Sequence, residues 1–178
     1  MIELGAVMYV MIGLFGFIGY QRGLSKELIS LAGIILALFA LFQFNNLLLN
    51  VLLANVPPEQ KFVVQCLIFG VIVFFAYQTR GLGRKLASDG GRDSLQTTIL
   101  GTLMGAVNGY LIWGSLWYFM HINGYPLSPF ITAPPAGTQS ADMIAALPLY
   151  LLAGGPAGDG NLLAFAVILL FVFVLILI

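Results

Sequence analysis

Five windows of mostly apolar residues dominate this sequence: 4–20, 28–44, 62–79, 99–121 and 162–178. A helix needs about 20 such residues to cross a hydrocarbon core of ~30 Å. Backbone groups inside lipid must pair within their own segment, so each window is expected to be helical. Only 8% of the residues are charged, whereas a soluble domain is about 25% charged. The sequence therefore predicts an all-α, polytopic membrane helix bundle of about five transmembrane helices, forming one integral membrane domain over residues 1–178.

The connectors between the windows differ in length and composition. The first, 21–27, is so short that it predicts a tight helical hairpin. Segment 45–55 alternates asparagines with leucines, which predicts an interfacial helix or an overlong second span, ended by Pro57 and Pro58. Segment 122–161 carries six of the eight prolines. Within it, an apolar stretch near 140–153, capped by Ser140 and kinked by Pro148, is expected to form an interfacial or re-entrant helix.

The basic residues predict the orientation of the chain. Loops on the cytoplasmic side are enriched in Lys and Arg. Six of the seven basic residues fall in two connectors on the same side: Arg22, Lys26, Arg80, Arg84, Lys85 and Arg92. We therefore expect the amino terminus and the loop 122–161 to lie outside the cytoplasm and the carboxyl terminus inside.

Small residues recur at helical spacing in the fourth window. Gly101, Gly105 and Gly109 lie on one helix face, where another helix can approach closely. This face is either a dimerisation surface or a contact between two spans of one chain, and we favour the contact within the chain. Asn108 flanks the glycines, and its amide needs a partner inside the membrane, for which another helix is the favoured candidate.

Looser sets of small residues occur in the first two windows. They predict that the opening hairpin packs backbone to backbone, through Gly13, Gly16 and Gly19 on one helix and Gly33, Ala37 and Ala40 on the other.

Charged residues at the cytoplasmic side predict contacts with lipid headgroups or with a cytoplasmic partner. Arg22 and Lys26 are four residues apart, with Glu27 beside them. A second basic segment, Arg80, Arg84 and Lys85, has the spacing of a short amphipathic helix on the inner leaflet. Membrane lipids are thus the expected partners, together with other membrane subunits or a second copy of the chain.

Catalytic and cofactor chemistry has little support in the sequence. The spans contain no paired carboxylates, no nucleophile with a base and no metal cluster, so we expect no enzyme. His121, the only histidine, follows an aromatic belt and is a candidate single ligand for a pigment or haem, although anchoring at the interface is the favoured role. Cys66 is alone and completes no metal site. No cofactor is expected, and a net charge of zero predicts no nucleic-acid partner.

Three motifs resemble the colicin V production protein family. The first is Arg22-Gly23 followed by Lys26-Glu27-Leu28 and Ser30-Leu31. The second comprises Asp93, Leu100-Gly101 and the glycines from Gly105 to Gly109, and the third is Ala146-Leu147-Pro148. The chain departs from the family in having Asn108-Gly109 where members usually carry Arg-Gly. It also has a fifth apolar segment, whereas most members resemble four-span proteins.

The resemblance implies a multi-pass protein of the bacterial inner membrane that supports colicin export or envelope homeostasis without being an enzyme. An accessory or scaffolding subunit of a larger membrane complex is the alternative. A small channel or transporter is a third possibility, but it calls for ionisable groups in the spans, where Asn108 and Gln65 are nearly the only polar residues.

Overall fold

Four long apolar helices make up most of the protein. The computed structural model describes residues 3–78 and 94–177. The helices long and apolar enough to cross a membrane are α1 (Leu4–Arg22), α2 (Leu24–Gln43), α3 (Pro58–Gln78) and α4 (Ser94–Ile122). The shortest of them, α1, has 19 residues and is about 29 Å long at ~1.5 Å per residue. The predicted all-α membrane fold is confirmed.

Shorter helical pieces follow α2 and α4. A π-helix, Leu47–Leu52, lies just beyond α2 and buries none of its side chains. After α4 come α5 (Gln139–Asp142), a 3₁₀ turn (Met143–Ala146), α6 (Pro148–Ala153) and a second 3₁₀ turn (Gly155–Ala157). The last helix, α7 (Asn161–Leu177), is apolar and has 17 residues, so it is shorter than the other four. The fourth helix begins at Ser94, five residues before the predicted window.

Helices α1 and α4 make the most extensive contact in the bundle. They meet along the glycine seam, which we define as Gly101, Gly105 and Gly109 of α4. A Cβ atom added to Gly101 would lie 2.7 Å from the carbonyl oxygen of Gly19, and one added to Gly109 would lie 2.8 Å from that of Met11. These distances leave no room for a side chain, so the two backbones touch. The seam is a contact within the chain.

The predicted packing of the opening hairpin is wrong. α1 turns its small residues to α4, because a Cβ on Gly16 would lie 3.6 Å from that of Ala106 and one on Gly19 would collide with Gly101. On α2, Gly33 faces Ala76 of α3, while nothing lies within 4 Å of a Cβ placed on Gly13. α1 and α2 share only a small contact, near the turn at Gly23. A hydrophobic pattern identifies the two helices but does not show which other helix each one packs against.

The core forms where α2 packs against both α3 and α4. Its fully or almost fully buried side chains include Ile34 and Leu38 of α2, Phe69 of α3, and Leu111 and Trp117 of α4. The rings of Phe69 and Phe119 meet edge to face, with centroids 5.7 Å apart. Helix α7 packs against α2 and α6, at the side of this core.

The segment near 140–153 is broken into short pieces and not one helix. Thr138, not the predicted Ser140, caps α5, because its hydroxyl accepts a hydrogen bond from the Ala141 amide at 3.3 Å. Ser140 instead accepts the Gly5 amide at 3.2 Å, which satisfies one of the unpaired donors in the first turn of α1. Pro148 lies against Gly114 of α4. The segment therefore covers the ends of α1 and α4.

The glycine seam yields a test based on the sign of a stability change. Gly105→Ala places a methyl group against the carbonyl oxygen of Phe15, so the variant should lose about 1–3 kcal/mol through overpacking. Gly13→Ala adds the same methyl group in open space and should be neutral or gain up to ~1 kcal/mol of helix stability. Thermal unfolding in mild detergent measures both, and equal responses would contradict the seam.

Candidate functional site

Glu27 is a carboxylate placed inside the helix bundle. It lies in the first turn of α2 and is 0% exposed. Gly23, with a φ of +80°, both ends α1 and begins α2, and glycine adopts this left-handed conformation without strain. The immediate turn brings Arg22 at the end of α1 back towards Glu27. The partial positive charge at the start of α2 also favours an acidic group there.

Arg22 is the counter-ion of Glu27 and joins three helices. Its Nη1 donates to Glu27 Oε1 at 2.6 Å and to Ser30 Oγ at 3.1 Å. Its Nη2 donates to the carbonyl oxygen of Tyr77 at 3.2 Å, in the last turn of α3. The guanidinium also lies 4.4 Å from the centre of the Tyr77 ring. Arg22 of α1 therefore contacts both α2 and α3.

Asn108 brings the fourth helix to the same carboxylate. Its Nδ2 donates to Glu27 Oε2 at 2.8 Å and to the Glu27 carbonyl at 3.0 Å. The hydroxyl of Tyr77 lies 3.5 Å from the same Oε2. We call Arg22, Glu27, Ser30, Tyr77 and Asn108 the polar cluster. Its members come from α1, α2, α3 and α4, so one site connects all four long helices.

The energetics of the polar cluster depend on its being complete. Moving a carboxylate out of water costs several kcal/mol, and the cost is recovered only when charge and hydrogen-bond partners surround it. Here Arg22 supplies the opposite charge, so the pair is neutral, and Asn108 donates one hydrogen bond to the carboxylate and another to the Glu27 main-chain carbonyl. Removing one partner leaves an uncompensated group in a medium of low dielectric constant. The cluster therefore fixes the relative positions of the helices more than it adds net stability.

A second group of polar and aromatic side chains lies at the other end of α4. Trp117 Nε1 donates to the hydroxyl oxygen of Tyr125 at 3.3 Å, and His121 Nδ1 is 3.2 Å from the same oxygen. Since that oxygen already receives the indole proton, we infer that the hydroxyl donates to Nδ1. Burial raises the pKa of the Tyr125 phenol, which keeps it a donor. Nearby, Asn123 donates to Gln65 at 2.6 Å.

His121 is held among aromatic rings. Its ring meets those of Tyr125 and Tyr150 edge to face, with centroids 5.6 Å and 6.2 Å away. In the part of the chain that the structure describes, no group of three His, Cys, Asp or Glu side chains converges on a metal position. The contacts match those of a side chain that anchors the end of α4.

The predicted lipid-contact residues do not share one environment. Lys26 is exposed and can reach headgroups. Glu27, with no exposed surface, is unavailable to headgroups or a soluble partner, and Arg22 is 20% exposed and bound to Glu27. The prediction for Glu27 was wrong because its spacing suggested a helix surface, whereas the turn at Gly23 directs it inward, and the headgroup contact of Arg22 stays a prediction. The predicted contacts at Arg80, Arg84 and Lys85 lie outside the described residues.

Sequence reasoning missed two members of the polar cluster and one member of the helix contact. Ser30 lies three residues after Glu27 on α2 and joins the cluster through Arg22. Tyr77 meets Glu27 only because α3 packs beside α2. Gly114, five residues after Gly109, accommodates Pro148 and falls outside the four-residue repeat. The signal that could have found Tyr77 is its position as the last aromatic residue of the third window.

The fold and the site together define a multi-pass helical membrane protein whose four long helices meet at a buried ion pair. The family model for colicin V production protein matches residues 4–147, and the chain belongs to this family. The match covers α1 to α5 and the whole polar cluster, whereas α6 and α7 lie beyond it. Together, the family and the apolar helices indicate a protein of the inner membrane. Comparison with curated proteins and with solved structures gives no match.

The ion pair yields a test by paired substitution. Arg22→Met leaves the Glu27 carboxylate buried without its counter-ion and should cost roughly 3–5 kcal/mol. Adding Glu27→Leu to that variant removes the stranded charge, so the double variant should be more stable than Arg22→Met alone by more than about 1 kcal/mol. Unfolding in detergent with circular dichroism detection measures the three proteins. A double variant less stable than Arg22→Met would contradict the ion pair.

Proposed function

We propose that this protein supports the export of small peptides such as colicin V, or the upkeep of the cell envelope, as a non-enzymatic component of the bacterial cytoplasmic membrane. The family match over residues 4–147 is the observation that carries the proposal. It includes the four long helices and every residue of the polar cluster, in which Asn108 stands where members usually carry arginine.

The geometry of the polar cluster supports an assembly role over conduction or catalysis. Most of its hydrogen bonds run between helices, from Arg22 to Glu27 and Tyr77 and from Asn108 to Glu27. Around it the core is apolar, with Ile34, Leu38 and Phe69 almost fully buried. Polar groups used in this way hold helices in one arrangement. We therefore propose that the bundle acts as a rigid platform for lipids and other membrane proteins.

The same arrangement supports the orientation that the basic residues predict. The hydrogen bond from Arg22 to the Tyr77 carbonyl brings the end of α1 next to the end of α3. Residues 79–93, which hold four of the seven basic residues, begin just after that end. Arg22, Lys26 and the last turn of α3, which this connector follows in the sequence, belong to one end of the bundle, and we propose that this end faces the cytoplasm. The amino terminus then lies outside and the carboxyl terminus inside.

An accessory subunit of a larger membrane complex is the second candidate. Helix α7 favours it, because α7 lies beyond the matched residues and turns large side chains outward, including Phe165, Ile168 and Phe171, each about 60% exposed. Such a surface fits either lipid or the helix of another membrane protein. A partner would be expected to contact α7 and not the bundle of α1 to α4.

The proposed function can be tested by replacement in cells. A strain that secretes colicin V and lacks its own family member should regain secretion, or resistance of its envelope to detergent, when it expresses this chain. The destabilised Gly105→Leu variant serves as the negative control, and membrane levels of every variant are measured by immunoblotting. If the intact chain reaches the membrane and restores neither property, the proposal is wrong.

The same strain separates the two candidates. A version ending at residue 160 lacks α7 but keeps the four-helix bundle and the polar cluster. If it restores both properties as well as the full chain does, the family function resides in the bundle. If it accumulates normally and restores neither, α7 is required and the accessory role is favoured.

A further inference from the structure

The amide of Asn108 has only one chemically sensible orientation. Its Nδ2 faces two acceptors, the carbonyl oxygen and Oε2 of Glu27, at 3.0 Å and 2.8 Å. Rotating the amide by 180° would direct Oδ1 at both oxygens and lose both hydrogen bonds. Oδ1 must therefore point away from Glu27. There it is buried, in a residue that is 0% exposed, and it has no hydrogen-bond partner among the residues that the structure describes.

Several donors of the polar cluster are already engaged with acceptors other than Oδ1. Arg22 Nη1 donates to Glu27 and Ser30, and the Ser30 hydroxyl donates to the Lys26 carbonyl at 3.1 Å. The Tyr77 hydroxyl lies beside the Glu27 carboxylate. A movement that satisfied Oδ1 from one of these groups would remove a hydrogen bond or a charge interaction elsewhere in the polar cluster. A small neutral molecule can donate to Oδ1 without removing any of these interactions.

We propose that the polar cluster contains a binding site for one water molecule, which donates a hydrogen bond to Asn108 Oδ1. A neutral donor fits better than a cation, because Arg22 and Glu27 already balance each other's charge and an added positive charge would be unpaired in a medium of low dielectric constant. Buried waters occupy such positions beside otherwise unsatisfied polar groups. Arg22, which is 20% exposed, connects the site to the surface at the Gly23 end of the bundle.

The site has a consequence for the bundle. Toward the opposite end, Leu111 of α4 and Leu38 of α2 are buried and apolar, so water is expected to enter and leave on the Gly23 side only. The four helices would then meet at a hydrated junction that exchanges with one aqueous phase. This hydration is independent of the export or envelope role proposed above.

Water-edited NMR of the full chain in lipid nanodiscs tests the proposal. The chain is labelled uniformly with carbon-13 and nitrogen-15. Val-Asn occurs once in the sequence, at Val107-Asn108, which assigns the backbone amide of Asn108, and correlation through its Cβ and Cγ then assigns the side-chain amide. Magnetisation from water should reach the Asn108 side-chain amide several times faster than it reaches the backbone amides of Leu38 and Phe69, which are equally buried in apolar surroundings. Asn50, which is exposed, gives the upper reference.

Two results would overturn the water site. A transfer to Asn108 as slow as that to Leu38 and Phe69 would show that the junction is dry. A rapid transfer that appears only when ammonium ions are present in the buffer, and is lost when they are removed, would show that the donor is a cation.

Discussion

The contact between the backbones of α1 and α4 is the constraint on which the rest of the bundle depends. Lipid gives helices no hydrophobic reason to associate, so close van der Waals contact must hold them together. Gly101, Gly105 and Gly109 remove the side chains that would separate the two helices, and each meets backbone atoms of α1. Since such a seam lets α4 neither slide along α1 nor rotate against it, it fixes the position of every α4 residue along the helix axis relative to the turn at Gly23.

The polar cluster follows from that register. With the seam in place, Asn108, adjacent to Gly109, turns toward α2 and reaches both oxygens of Glu27 that Arg22 leaves available. Arg22 is held close by the immediate turn at Gly23 and extends to the last turn of α3. Packing and electrostatics therefore specify one arrangement together. The seam places the helices, and the cost of an unpaired carboxylate excludes alternative placements.

The sequence predicts which segments form helices, but it does not predict which helices pack against each other. Window length and hydropathy depend on each segment alone, so the four long helices and the apolar α7 could be predicted from residues such as the run 162–178. The inward direction of Glu27 could not, because charge spacing does not reveal the turn that Gly23 makes. Tyr77 joins the site only through packing of α3 on α2, and Ser30 joins it through Arg22, which the same turn brings back towards α2. The glycine repeat indicated a close helix contact, yet its partner, α1, follows only from three-dimensional packing.

The most direct test of this account is disulfide formation across the seam in native membranes. An ideal Cβ on Gly16 would lie 3.6 Å from the Cβ of Ala106, a separation that a disulfide can bridge. In a chain carrying Cys66→Ala, the pair Gly16→Cys and Ala106→Cys should therefore cross-link within one molecule on mild oxidation. Gly13→Cys with Ala106→Cys is the matched control and should remain reduced, because Gly13 faces open space. The account predicts a reducible monomer of altered mobility on gels for the first pair alone. Disulfide-linked dimers formed by that pair, or equal cross-linking of both pairs, would contradict it.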